Sequence, residues 1–194
     1  SILTAKDINN VQSTQSVDAL GRVIQSTPAG LGQTNTKYEI CKSFVGVGGS
    51  GLDCETGDKY KITSTTTLNA PIISFQNSAG QTTRTLTKAY DNTNNIVIRN
   101  EYSTSGKLYR TSKPALSNVG YANLLWTTHE YDALGRVVKI SEPGNRITSI
   151  VIDGLQTTTT NPKGQNRKEV SNIAGEVTEV IDHDNNSLKY TRDS

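Results

Sequence analysis

The 194-residue sequence has no methionine, one tryptophan, two phenylalanines, two histidines and two cysteines. Without methionine, it is expected to be a segment of a longer polypeptide. Apolar residues make up only 33% of the chain, and Leu, Ile, Val and Phe together 22%. That sits just above the roughly 20% at which disorder becomes the default, so an ordered chain with a thin core is expected. No wholly aliphatic run exceeds three residues, as in Ile150-Val151-Ile152. A membrane-spanning helix needs roughly 20 apolar residues, so no membrane span is expected. No charged segment leads into an apolar one, so no signal peptide is read. Twenty basic and eighteen acidic residues are interspersed for a net charge of +2, which gives no electrostatic footprint for nucleic acid.

Catalytic signatures are also missing. His129 and His183 stand in no nucleophile–base pattern, and Ser50 lacks the G-x-S-x-G context. Asp53, Glu55 and Asp58 read as carboxylates of a solvated loop rather than an acid–base pair. The segment 46–51 matches G-x-G-x-x-G formally, but no acidic residue lies about twenty positions on and no helix pattern follows. Oxygen-bearing residues at 182, 184 and 186 are spaced like calcium ligands. Ser187, however, stands where such a loop needs glycine, and Asp193 where it needs a bidentate glutamate. No enzyme, cofactor or metal is expected.

What the sequence has in quantity is threonine, with 26 copies, and asparagine, with 17. Threonine favours strands and asparagine favours turns. The hexapeptide Asp-Ala-Leu-Gly-Arg-Val occurs twice, at 18–23 and 132–137. Looser copies lie at 77–81, 102–107, 161–165 and 172–176, each with Asn, Asp or Ser near its start and Gly near its end. A short side-chain acceptor suits the first position of a type I turn. Glycine suits the fourth, where positive φ lets the chain rejoin a strand through a bulge. Turn glycines fall at Gly135, Gly144, Gly154, Gly164 and Gly175, with Asn186 next, at intervals of nine to eleven residues. That spacing predicts hairpin-linked strands of about six residues. The fold class expected is all-β: an antiparallel meander of short strands forming a twisted or curved ribbon.

The stretches 155–161 and 165–170 are almost wholly polar. Such strands cannot bury a greasy face, so the ribbon is expected to rest on backbone ladders and cross-strand Thr, Tyr and charge pairs. One segment, 1–194, with no separate second domain is expected. Residues 44–57 form a glycine-rich loop, 113–121 an irregular connection, and the first 15 or so fray. Cys41 and Cys54 flank the loop. They allow a disulfide in an oxidising compartment or a pair of free thiols; no histidine nearby completes a zinc set. Tyrosines 90, 102, 131 and 190 beside turns read as inter-strand stacking, with a sugar-binding platform as the alternative. Arg22 and Arg136 are expected to pair with an adjacent strand. The key structural residues are Asp18, Gly21, Asp132, Gly135, Gly144, Gly164 and Gly175.

The run Tyr131-Asp132-Ala133-Leu134-Gly135-Arg136-Val137, continued by the turns at 142–144, 161–164 and 172–175, resembles the signature of the RHS, or YD-repeat, family. The stretch from Trp126 to Asp132 is similar to the RHS part of bacterial Tc-toxin B/C components and related polymorphic toxins. The resemblance covers the last 70 residues or so well and the rest in patches, and Val17 stands where the family has tyrosine. It implies a β-ribbon that spirals into a hollow shell around a carboxy-terminal toxin effector, in a secreted or bacterial cell-surface protein. Its implied partners are the rest of the shell, the effector and other toxin-complex subunits. The alternative is a cell-surface interaction module that binds carbohydrate or a protein through exposed Tyr- and Thr-rich strands. An open ribbon also has unpaired edges, from which self-association is expected.

Overall fold

Runs rich in Thr, Val and Ile, cut every ten residues or so by Asx- and Gly-bearing turns, leave the chain one inexpensive way to pair its backbone: each strand against the next. In a computed structural model, residues 2–28, 31–41, 54–67, 69–91 and 93–191 are described. They form seventeen strands: β1 (Ile2–Lys6), β2 (Gln12–Val17), β3 (Val23–Thr27), β4 (Thr34–Ile40), β5 (Tyr60–Thr66), β6 (Ile72–Gln76), β7 (Thr82–Lys88), β8 (Asn95–Tyr102), β9 (Leu108–Ser112), β10 (Ala115–Leu116), β11 (Trp126–Tyr131), β12 (Val137–Glu142), β13 (Arg146–Asp153), β14 (Gln156–Thr160), β15 (Asn166–Ser171), β16 (Val177–Ile181) and β17 (Ser187–Lys189). The helical content among them is one 3-10 turn, Tyr121–Asn123. The fold is an all-β antiparallel meander.

Where a single segment is expected from the sequence, contacts group the chain into two compact units, 1–100 with 112–124 and 101–111 with 125–194. In the first, β1 to β8 pair in chain order and β10 adds to β8, with Ala115 opposite Val97. In the second, β9 pairs with β11, and β11 to β17 pair in chain order. The register slips by one residue after several turns, so that Val17 faces Val23, Gln76 faces Thr82, Tyr131 faces Val137 and Ser171 faces Val177. Each slip is the bulge by which a turn ending in positive φ re-enters its strand.

The core is thin, and its larger part belongs to the first unit. Phe75, Leu86 and Val97 form the buried cluster, with Ile73, Cys41 and Cys54 packed against it. Leu86 lies opposite Ile73 on one side and Val97 on the other, so three successive strands supply it. Among the described residues of the second unit, only Thr127 is buried. Cross-strand pairs take the place of a core there. Lys139 sits opposite Glu130 with Nζ 2.8 Å from Oε1, and Lys189 opposite Glu179 at 3.8 Å. The threonines of β14 face Ile150, Ile152 and Lys168. Each such pair contributes roughly 0.2–1 kcal/mol.

One expectation is refined. The segment 113–121 is not irregular throughout: Ala115 and Leu116 form β10, because the chain after Pro114 lies close enough to extend the sheet. Within the first fifteen residues, β1 pairs with β2 along all five of its residues. The G-x-G-x-x-G segment and Asp53 lie outside the described residues, as does Asp193.

Gly164 has φ +80°, with nothing within 4 Å of where a Cβ would stand. Asn10 and Asn185 hold the equivalent turn position at φ 66° and 65°. Gly164→Ala should therefore lower stability by about 1–2 kcal/mol through backbone strain alone, and Gly164→Asn by less than half of that. Urea unfolding followed by the fluorescence of Trp126 measures both. Equal losses for the two substitutions would contradict a left-handed requirement at this position.

Candidate functional site

The recurring device is the turn itself. In eight turns among the described residues, residue i is Asp7, Asp18, Asn77, Ser103, Asp132, Asn161, Asn172 or Asp182. Its N–H donates to the carbonyl of residue i+4, and the N–H of residue i+3 donates to its carbonyl. Residue i+3 takes positive φ in all eight: Asn10, Gly21, Gly80, Gly106, Gly135, Gly164, Gly175 and Asn185. The side chain of residue i then closes the ring. Asn161 Oδ1 accepts from the N–H groups of Lys163 and Gln165 at 2.9 and 3.0 Å. The same double acceptance recurs at Asp7, Asp18, Asn77, Asn172 and Asp182. One side-chain oxygen thus satisfies two N–H groups that a five-residue loop leaves without a backbone partner.

The second terminal atom of residue i selects what stands at i+4. In three of the four turns opened by Asp, that atom is an acceptor and i+4 is a donor: Arg22 Nε to Asp18 at 2.7 Å, Arg136 Nε to Asp132 at 2.7 Å, Asn186 Nδ2 to Asp182 at 3.0 Å; the fourth, Asp7, has Val11 at i+4. Where residue i is Asn, that atom is a donor and i+4 is an acceptor: Gln81 to Asn77 at 2.8 Å, Gln165 to Asn161 at 2.9 Å, Glu176 to Asn172 at 3.0 Å. The expected pairing of Arg22 and Arg136 with acidic or backbone groups of an adjacent strand is therefore corrected, although the Arg22 guanidinium also stacks 4.4 Å from the Tyr38 ring of β4. Each reaches back to the aspartate that opens its own turn, because a residue four positions on lies beside it in this loop. The N–H of Arg136, followed by its guanidinium, holds the Asp132 carboxyl below its usual range. The Asn186 side chain does the same for Asp182. In the turn after β7, the N–H and side chain of Asn94 bring Asp91 down to about 2.

Of the remaining predicted turn residues, Gly144 has φ 82° and is followed by Asn145 at 58°, a different turn with two left-handed residues. In the last turn the left-handed residue is Asn185, one position before the expected Asn186. Gly135 also meets its neighbour closely, for Lys107 Nζ donates to its carbonyl at 3.2 Å and lies 5.4 Å from the Tyr131 ring. Tyr131 in turn donates its hydroxyl to the Leu108 carbonyl at 2.8 Å, so it ties neighbouring strands together.

A second constellation lies in the first unit. Cys41 and Cys54 are joined in a disulfide. Glu55, the next residue, accepts from Arg84 Nη1 at 2.5 Å and from Arg99 through both oxygens at 2.6 and 2.7 Å. Asp58 accepts from Arg84 Nη2 at 3.0 Å, from the Thr83 hydroxyl at 2.7 Å and from the Glu55 N–H at 2.9 Å. The Arg84 side chain is 2% exposed and its guanidinium lies 3.9 Å from the Phe75 ring centroid. Burial, with a smaller contribution from the Arg99 charge, pulls the Arg84 pKa down, and the two carboxylates oppose that pull. The Arg99 hydrogen bonds hold Glu55 below its usual range. The expectation that Asp58 is a solvated carboxylate is thus overturned, since it is buried, while Glu55 keeps 44% of its side chain exposed; together they neutralise a guanidinium that sits on the core face. The chemistry this offers is electrostatic clamping of the segment after Cys54 onto β7 and β8. The signal was present in β7, where Arg84 and Leu86 share a face at i and i+2.

Among the described residues, no group of three His, Cys, Asp or Glu side chains gathers as a metal site. The Asp182 oxygens are taken by its own turn. No helix among them is long and apolar enough to cross a membrane. A scan against protein-family models finds no match for the chain, and a search of curated proteins finds none either.

Asn172→Asp should set two carboxylates against each other at Glu176 and cost about 1 kcal/mol at pH 7. Adding Glu176→Arg recreates the Asp–Arg pair of the turn at Asp132 and should recover most of that loss. A double-mutant cycle by urea unfolding reads the coupling. Additive losses would contradict the donor–acceptor rule.

Proposed function

We propose that this chain is a structural, non-catalytic ribbon, and more particularly a stretch of the wall of an RHS, or YD-repeat, shell. The wall would belong to a secreted or surface-exposed bacterial toxin and enclose its carboxy-terminal effector. The observation that carries the reading is the recurrence of one closed turn at regular intervals along an antiparallel meander. A repeat whose identity lies in its turns serves to extend a sheet, not to assemble a reaction centre. The near absence of buried residues in the second unit supports the same reading, since a wall with two polar faces does not grip its contents. The RHS resemblance supplies the enclosure, the effector and the other toxin subunits as partners.

The test is electron cryomicroscopy of the polypeptide from which this segment comes, together with its flanking sequence. The expected result is a hollow β-walled particle in which this chain contributes consecutive strands. A string of separate solid domains would contradict the reading. A glycan array run on the same material addresses the alternative. Saturable sugar binding lost on Tyr90→Ala, with Tyr90 fully exposed at the turn after β7, would favour a surface-binding module instead.

A further inference from the structure

We infer that the Cys41–Cys54 disulfide is a redox latch: its reduction by a dithiol lets the segment 54–58 lift from β7 and β8 and uncovers Arg84, while the sheet stays folded. The inference rests on the geometry of the first unit and is independent of the packaging reading.

The two ends of the segment are held differently. At its far end, Lys59 donates its N–H to the Gln76 carbonyl at 2.7 Å and accepts from the Cys41 N–H at 2.8 Å, so the chain enters β5 as part of the ladder. At its start, the disulfide ties Cys54 to Cys41, the residue after β4. Between them, Asp58 donates its N–H to the Glu55 carbonyl at 3.0 Å, which closes a turn within the segment and does not attach it to the sheet. Side chains make the attachment: Glu55 to Arg84 and Arg99, and Asp58 to Arg84 and Thr83.

Those side chains alone do not decide the position of the segment. Glu55 and Arg99 are 44% and 24% exposed, and water competes for such a pair. Arg84 and Asp58 are buried, so their attraction is largely offset by the cost of keeping both charges out of water. Lifting the segment rehydrates both. The tether therefore tips the balance. Thirteen positions separate the cysteines. In the chain-entropy model, opening a loop of that length raises the weight of the lifted state about a hundredfold.

Both cysteines are half-buried, so a thiolate can approach the bond. One thiolate of a dithiol such as dithiothreitol attacks a sulfur, and the second resolves the mixed disulfide. The dithiol is oxidised to its own cyclic disulfide, the S–S bond of the protein takes up the two electrons, and Cys41 and Cys54 end as protonated thiols. The ladders do not pass through the segment: β4 pairs with β5 along seven residues, β5 with β6 along five and β7 with β8 along five.

Arginine modification by phenylglyoxal, mapped by mass spectrometry on oxidised chain and on chain reduced with dithiothreitol and then freed of it under argon, tests the latch. Arg84 should react at least about tenfold faster after reduction, and Arg146, exposed in the second unit, at an unchanged rate. By amide exchange, the Asp58 N–H should lose protection while the β7–β8 ladder keeps it. Coupling is reciprocal, so Glu55→Gln should shift the dithiothreitol equilibrium toward the reduced chain about fivefold or more. Glu130→Gln, which removes the distant pair with Lys139, should not shift it. An Arg84 still shielded after reduction overturns the inference. So does loss of protection along β7–β8, which would mean that the unit unfolds, or an equilibrium that Glu55→Gln leaves in place. Should that variant misfold, the Arg84 reactivity of the wild type decides.

Discussion

The constraint on which this structure depends is the fate of two N–H groups at each reversal of the chain. A five-residue loop that ends in a bulge leaves the amides of residues i+2 and i+4 without a backbone carbonyl. A strand-rich protein with a large core could tolerate a few such losses. This one cannot, because its second unit buries almost nothing. A single side-chain oxygen from Asp or Asn accepts both amides, and the left-handed residue at i+3 brings them within its reach. The sheet is thus held at its ends as much as along its ladders, and polar strands such as β14 can persist without a greasy face.

The first unit solves a different problem. Its small apolar cluster of Phe75, Leu86 and Val97 shares the sheet face with Arg84, whose charge has been taken out of water. A buried charge left alone costs several kcal/mol. Glu55 and Asp58 offset that cost only while the segment after Cys54 stays against β7, and the disulfide to Cys41 fixes its start. Core, cystine and ion pairs therefore act as one arrangement. Removing one member would expose the others to solvent or strand a charge.

The alternation of strands and turns was legible because both signals are local. Threonine and β-branched runs favour extension, and a short acceptor three residues before a glycine or asparagine bend specifies the reversal. The hexapeptide at 132–137 even contained the side-chain closure, since Asp132 and Arg136 stand four apart. The spacing alone is equally compatible with pairing to a neighbouring strand, and only the five-residue loop brings the two side chains together. The partner rule needs several turns side by side: Asp with Arg or Asn in all but the turn at Asp7, Asn with Gln or Glu. The Arg84 cluster was out of reach for another reason. Its arginine–carboxylate pairs lie 26 to 44 residues apart in the chain, and only the fold brings them together. β10 was hidden by brevity, two residues beside a proline.

The most direct test of the central claim is amide hydrogen exchange, read residue by residue, at the tips of the turns. The N–H groups of Leu20, Ala79, Lys163, Ala174 and Asp184 all donate to the side chain that opens their turn. They sit at exposed loop positions with no ladder to protect them. The account predicts exchange well below the rate of an unstructured chain at all five. Exchange at the unstructured rate, with the flanking strands still protected, would show that the side-chain closure does not hold the reversals together.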